Sequence, residues 1–152
     1  MTSLGSESCQ VSALQNGKTF ILIADDSATI RALLRRTLEL YSYEVIEARD
    51  GEEAVVRVRE TPDLGMLIVD LMMPKLDGIE VIRIVRARAS SVSLPILVLT
   101  GESLGEVTPV IPGADACMQK PFLPSVLLDI VRNLLAHGHR TSEDQLDQDT
   151  HG

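Results

Sequence analysis

Five polar residues stand at the ends of short aliphatic runs or directly after them: Asp25 and Asp26, Asp70, Thr100 and Lys120. Brought together, three carboxylates repel one another and raise each other's pKa unless a cation joins them. A hard divalent ion with oxygen ligands and retained waters, Mg2+ first among them, resolves that conflict. The lysine adds a second positive charge and the threonine a hydroxyl donor. Carboxylate, Mg2+, ammonium and hydroxyl are together what phosphoryl transfer needs to neutralise and orient its equatorial oxygens. Singly, each residue also has a plain role. A strand-terminal Asp can cap the next helix, Thr100 can simply end a strand, and Lys120 before Pro121 can be a solvated loop lysine.

The elements around these residues decide whether they meet. Aliphatic runs at 19–24, 44–48, 66–70, 95–99 and 116–119 alternate with amphipathic segments. Several runs are near-continuous in Ile, Leu and Val, as parallel strands covered on both faces are. Ser27 caps a first helix whose apolar face is Ile30, Leu33, Leu34, Thr37, Leu38 and Tyr41. A second helix starts at Asp50 and buries Ala54, Val55 and Val58. A third starts at Asp77 and carries Ile79, Ile82 and Val85. A last one has Pro124 in its first turn and carries Leu127, Ile130, Val131, Leu134 and Leu135, with His137 and Gly138 closing it. Strict βα alternation implies right-handed crossovers and a doubly wound parallel sheet. Ligands in such folds sit at the carboxyl ends of the strands, where all five polar residues fall.

Composition narrows the function. Fourteen Lys and Arg against 22 Asp and Glu give a formal charge of −8, which disfavours nucleic acid on the bulk surface. Aromatics at 3% with no Trp leave few platforms for base stacking. Cys9 and Cys117 cannot make a disulfide framework, and free thiols point to a reducing compartment. Residues 1–17 resemble no signal peptide, and no apolar run is long enough to span a bilayer. The expectation is therefore a cytoplasmic protein without membrane contact. Residues 1–17 read as a flexible arm and 138–152 as a disordered acidic tail, leaving 18–137 as the folded domain.

The combination Asp25-Asp26, then Asp70-Leu71-Met72-Met73-Pro74-Lys75-Leu76-Asp77-Gly78, then Leu99-Thr100-Gly101, then Lys120-Pro121-Phe122 resembles the receiver domain of two-component response regulators. The resemblance runs over nearly all of 18–137. It implies a flavodoxin-like (βα)5 sheet of strand order 2-1-3-4-5. It implies that Asp70 accepts a phosphoryl group from the phosphohistidine of a sensor histidine kinase or a histidine phosphotransfer protein. Mg2+ would be held by Asp25, Asp26, Asp70 and the backbone carbonyl of Met72. Thr100 and Lys120 would bind the phosphoryl oxygens. The Lys120–Pro121 bond is usually cis in the family.

Two departures concern the output face. The family usually carries an aromatic where Cys117 stands. The stretch after Thr100 holds Gly105, Pro109 and Pro112, so the fourth helix should be short or degenerate. The expected protein is a single-domain phosphorylation switch, not an enzyme, monomeric or weakly dimeric, signalling through a downstream protein. The alternative is a phosphorylation-independent interaction module of the same fold. Six arginines, Arg31, Arg35, Arg36, Arg83, Arg86 and Arg88, are expected on solvated helix faces.

Overall fold

The computed structural model describes residues 18–101 and 111–137. They form a five-stranded parallel sheet in the order β2-β1-β3-β4-β5. The strands are β1 (Thr19–Ala24), β2 (Tyr43–Ala48), β3 (Leu64–Asp70), β4 (Ile96–Thr100) and β5 (Ala116–Gln119). Four α-helices lie among the described residues: α1 (Ala28–Glu39), α2 (Gly51–Glu60), α3 (Gly78–Ala87) and α4 (Pro124–His137). The arm 1–17, the tail 138–152 and the expected degenerate helix after Thr100, centred on 102–110, lie outside the described residues.

Strand alternation sends successive side chains to opposite faces, and both faces are covered. Leu22, Ala24, Leu67, Val69, Ile96 and Val98 meet Ala54, Val55 and Val58 of α2 and Val81, Ile82 and Val85 of α3. Ile21, Ile23, Met66, Ile68, Leu97 and Leu99 meet Leu34 and Leu38 of α1 and Leu127, Leu128, Val131 and Leu134 of α4. Every β4 side chain is buried, as the near-continuous aliphatic run requires. No helix among the described residues is long and apolar enough to cross a membrane.

Local chemistry sets the helix starts. The side chains of Ser27, Asp50 and Asp77 accept from the N–H groups of Ile30, Glu53 and Glu80, three donors the helices leave unpaired. Several boundaries and faces differ from expectation. β3 begins at Leu64, and β4 begins at Ile96 and includes Thr100. Pro95 has no N–H for the ladder, although its carbonyl accepts from Leu67. Ile79, Leu33 and Tyr41 are exposed. In α3 the buried stripe is Gly78, Val81, Ile82 and Val85, because the turn after β3 lies directly against Gly78. Tyr41 follows the end of α1, with the Arg132 guanidinium 5.1 Å from its ring centre.

Two of the six arginines are not solvated. Arg86, on the last turn of α3, donates to the carbonyls of Gly113, Val92 and Leu94 and pairs with Asp115 at 3.0 Å. Asp115 in turn accepts from the N–H of Ile96 at 2.8 Å. The group thus ties α3 to the starts of β4 and β5. Burial pulls the Arg86 pKa below its usual value, against the opposing charge of Asp115. Arg31 is the second exception and belongs to the site.

Candidate functional site

The ladder register brings the chemistry-bearing residues to one sheet edge. Ala24 lies beside Ala48 and Val69, Asp70 beside Leu99, and Thr100 beside Gln119. Backbone bonds continue past the strands: Asp25 N–H donates to Ala48, Leu71 N–H to Leu99 and Lys120 N–H to Thr100. Asp25, Asp26, Asp70, Thr100 and Lys120 are thereby fixed at the carboxyl ends of the strands. The Lys120–Pro121 peptide bond is cis.

Three of these residues are almost fully buried: Asp25, Asp70 at 5% exposure and Thr100. Asp26 is exposed. The Lys120 ammonium lies between the two buried carboxylates, 2.7 Å from Asp25 and 3.4 Å from Asp70. Asp25 spends its other oxygen on the N–H of Ser27 at 2.9 Å. Desolvation, then the charge of Asp25, raises the Asp70 pKa above its usual value despite Lys120 and the N–H of Met72. Burial disfavours the Lys120 ammonium, but hydrogen bonds and charge from Asp25 and Asp70 overcome it and raise that pKa.

One lysine therefore faces three carboxylates, and the cluster carries excess negative charge. One oxygen each from Asp25, Asp26 and Asp70 lies within 4.8 Å of the other two. Two buried acids and one exposed acid leave a side open to solvent. That suits a hard cation which keeps several waters, and the residues fit Mg2+.

The turn after Asp70 is clamped. Leu71 accepts from the N–H of Gly78 at 2.9 Å, closing the loop that contains Met72. Lys75 sits at φ 71°, in the left-handed region, and its ammonium is 3.4 Å from Asp50, the cap of α2. Met72 itself is exposed.

The model of the response regulator receiver domain family matches residues 21–132. The chain belongs to this family. A receiver domain is a phosphoacceptor signalling module rather than an enzyme, and histidine kinases phosphorylate it. The transcriptional regulatory protein ResD of Bacillus subtilis (strain 168) is 39% identical over 130 residues, covering 84% of this chain and 52% of ResD. This receiver thus spans about half the length of the curated relatives it matches. The chemotaxis response regulator CheY4 of Vibrio cholerae is 33% identical, with a TM-score of 0.70 over 77% of this chain and 98% of CheY4. The receiver domain of the sensor histidine kinase PA1611 from Pseudomonas aeruginosa PAO1 shares the fold at 24% identity. Its TM-score is 0.72 over 78% of this chain and 98% of that one, and its structure has a magnesium ion coordinated in the active site cleft.

The receiver site also recruits residues that sequence reasoning did not place there. The Arg31 guanidinium donates to the backbone carbonyl of Asp25 at 2.6 Å and to Glu47 at 3.0 Å. The other oxygen of Glu47 accepts from Arg35, which is not itself part of the site and bonds otherwise to Glu39 and the Val45 carbonyl. The available signal was Glu47 itself, a charge between partly buried Ile46 and buried Ala48 near the carboxyl end of a strand. Lys75 and Asp50 were each visible in the sequence, but not as a pair.

Proposed function

We propose that Asp70 is the phosphoacceptor, and that a phosphohistidine on a sensor histidine kinase or a histidine phosphotransfer protein is the donor. An Asp70 carboxylate oxygen forms a bond to phosphorus as the bond from phosphorus to the histidine nitrogen breaks, leaving an acyl phosphate and a free imidazole. Asp25, Asp26, Asp70 and the Met72 carbonyl would hold Mg2+, which would neutralise charge on the phosphoryl oxygens. Lys120 turns from two carboxylates toward those same oxygens, and the Thr100 hydroxyl donates to another. Burial of Asp70 serves the same step. Its carboxylate is poorly hydrated, so little water must be stripped before attack.

The single observation that carries this reading is the Lys120 ammonium lying 3.4 Å from Asp70 inside a cluster of three carboxylates. A merely structural cluster gains nothing from mutually repelling buried acids. Incubation with a small phosphodonor and Mg2+ is expected to add one phosphoryl group. Chelation and Asp70→Asn should each abolish labelling. Undiminished labelling of the Asn variant would assign the chemistry to another residue. The output of this domain is read as protein contact, in keeping with the net charge of −8.

A further inference from the structure

We infer that Arg31, held by Glu47, is a positioning residue that sets cation affinity by fixing the peptide between Asp25 and Asp26. This inference rests on the magnesium reading above. Asp26 is the exposed ligand, and no hydrogen bond or ion pair to its carboxylate is found among the described residues. Its place is therefore dictated by its backbone. That backbone follows directly from the Asp25 carbonyl, which Arg31 grips at 2.6 Å from the first turn of α1. The guanidinium is itself immobilised: its side chain is only 12% exposed, and a second nitrogen donates to Glu47 at 3.0 Å. Glu47 comes from β2, one residue before Ala48, whose carbonyl accepts from the Asp25 N–H. The peptides on both sides of Asp25 are thus tied to the end of β2, one directly and one through the Arg31–Glu47 pair.

Glu47 has a second consequence. An unpaired guanidinium this close to the cluster would compete electrostatically with a bound cation. Glu47 cancels that charge, so the site keeps the orienting hydrogen bond without the repulsion.

These two effects oppose each other, and that makes the assignment testable. Deleting a positive charge near a cation site tightens binding if charge alone matters. Deleting the hydrogen bond loosens it if the peptide is being held. The experiment measures Mg2+ affinity by calorimetry on the full chain, together with melting temperature in chelator. Wild type, Arg31→Ala, the charge-neutral pair Arg31→Met with Glu47→Gln, and Arg35→Ala are compared. Arg35→Ala removes the other arm of Glu47 without touching Asp25. The expected result is a Kd raised about 5- to 20-fold in the first two variants. Arg35→Ala should lose thermal stability but keep the wild-type Kd within about twofold. An unchanged or tighter Kd in both Arg31 variants overturns the positioning role. An equal loss in Arg35→Ala also overturns it, by reducing it to general stability. Should Arg31→Ala fail to fold, the double variant carries the same comparison. Wild type that binds no Mg2+ overturns the magnesium reading itself, and this inference with it.

Discussion

Replacing Gly78 with alanine should damage the phosphorylation site more than the fold. Gly78 is the first residue of α3 and is buried against the turn that follows Asp70. A Cβ there would sit 2.6 Å from the Asp70 carbonyl oxygen and 2.9 Å from the Leu71 Cα. Both are backbone atoms, so no side chain can rotate away. Relief requires moving α3 or the peptide that follows Asp70 by roughly half an ångström, since carbon and oxygen rarely approach this closely. Such overpacking costs about 1–3 kcal/mol. Against it, alanine in place of glycine gains up to about 1 kcal/mol from the unfolded chain. The net is a loss of up to about 2 kcal/mol, a fall of as much as roughly 10 °C in melting temperature. Displacing Asp70 is costlier to function, because a shift on this scale can slow a positioned reaction by about 10- to 100-fold. Gly101→Ala is the matched control, as its Cβ would meet none of the described residues within 4 Å. Thermal melts and labelling rates with a small phosphodonor measure both quantities. Gly78→Ala that melts within about 1 °C of wild type and labels at the same rate would falsify the clamp.

Lys120→Met leaves Asp25 and Asp70 facing each other without their ammonium. Its melting temperature should fall in chelator and recover with Mg2+ by more than the wild type gains, while labelling drops at least tenfold. Arg86→Met removes the donor to the carbonyls of Gly113, Ser91, Val92 and Leu94 and takes the Arg86 charge away from Asp115. It should cost about 3–5 kcal/mol by chemical denaturation, against no measurable loss for exposed Arg83→Ala. The Asp50 pKa is lowered, first by the N–H of Glu53 and also by Lys75. A lowered carboxylate stabilises the fold above its unfolded value of 3.8 and loses that contribution as pH falls through its folded value. Asp50→Asn keeps a capping oxygen and deletes only the charge. It should melt lower than wild type at pH 7, by about 0.3–1 kcal/mol, and the difference should vanish below the folded pKa. A gap that persists in acid would mean the cap geometry, not the charge, had changed.

The parallel sheet and the three capping residues were legible because each is a local rule repeated along the chain, whereas the strand order came only from the resemblance to the receiver family. Alternating aliphatic runs and helical stripes force parallel strands. Parallel strands force Asp25, Asp70, Thr100 and Lys120 to one edge however far apart they lie in sequence. Helix faces were less secure. In α3 the stripe could start at Ile79 or at Gly78, and a glycine carries no hydropathy to decide between them. Only the close approach of the Asp70–Leu71 backbone, a tertiary fact, selects Gly78. Leu128 was missed in the same way, because two adjacent leucines in α4 leave the width of the buried face open.

Arginine was the least legible residue, and the reason is its reach. A period of 3.6 residues locates a Cα on the rim of a helix face, but a guanidinium acts well beyond its own Cα. Arg86 serves four carbonyls and a carboxylate on chain segments that its sequence position does not identify. Arg31 acts on a carbonyl six residues back and a glutamate sixteen residues on. The same limit applies to the core of the site. Sequence order shows that Lys120 joins the acids. It does not show that the ammonium lies nearer Asp25 than Asp70. Cys117 marks where local rules stop. It is half-buried, paired with Val98 in the ladder, and its pKa is raised by burial, so it fills space as a small apolar group where the family usually places a ring. A small side chain has little to gain by rotating. Any response to phosphorylation must then be carried by backbone or by larger neighbours, which strand and helix patterns do not single out.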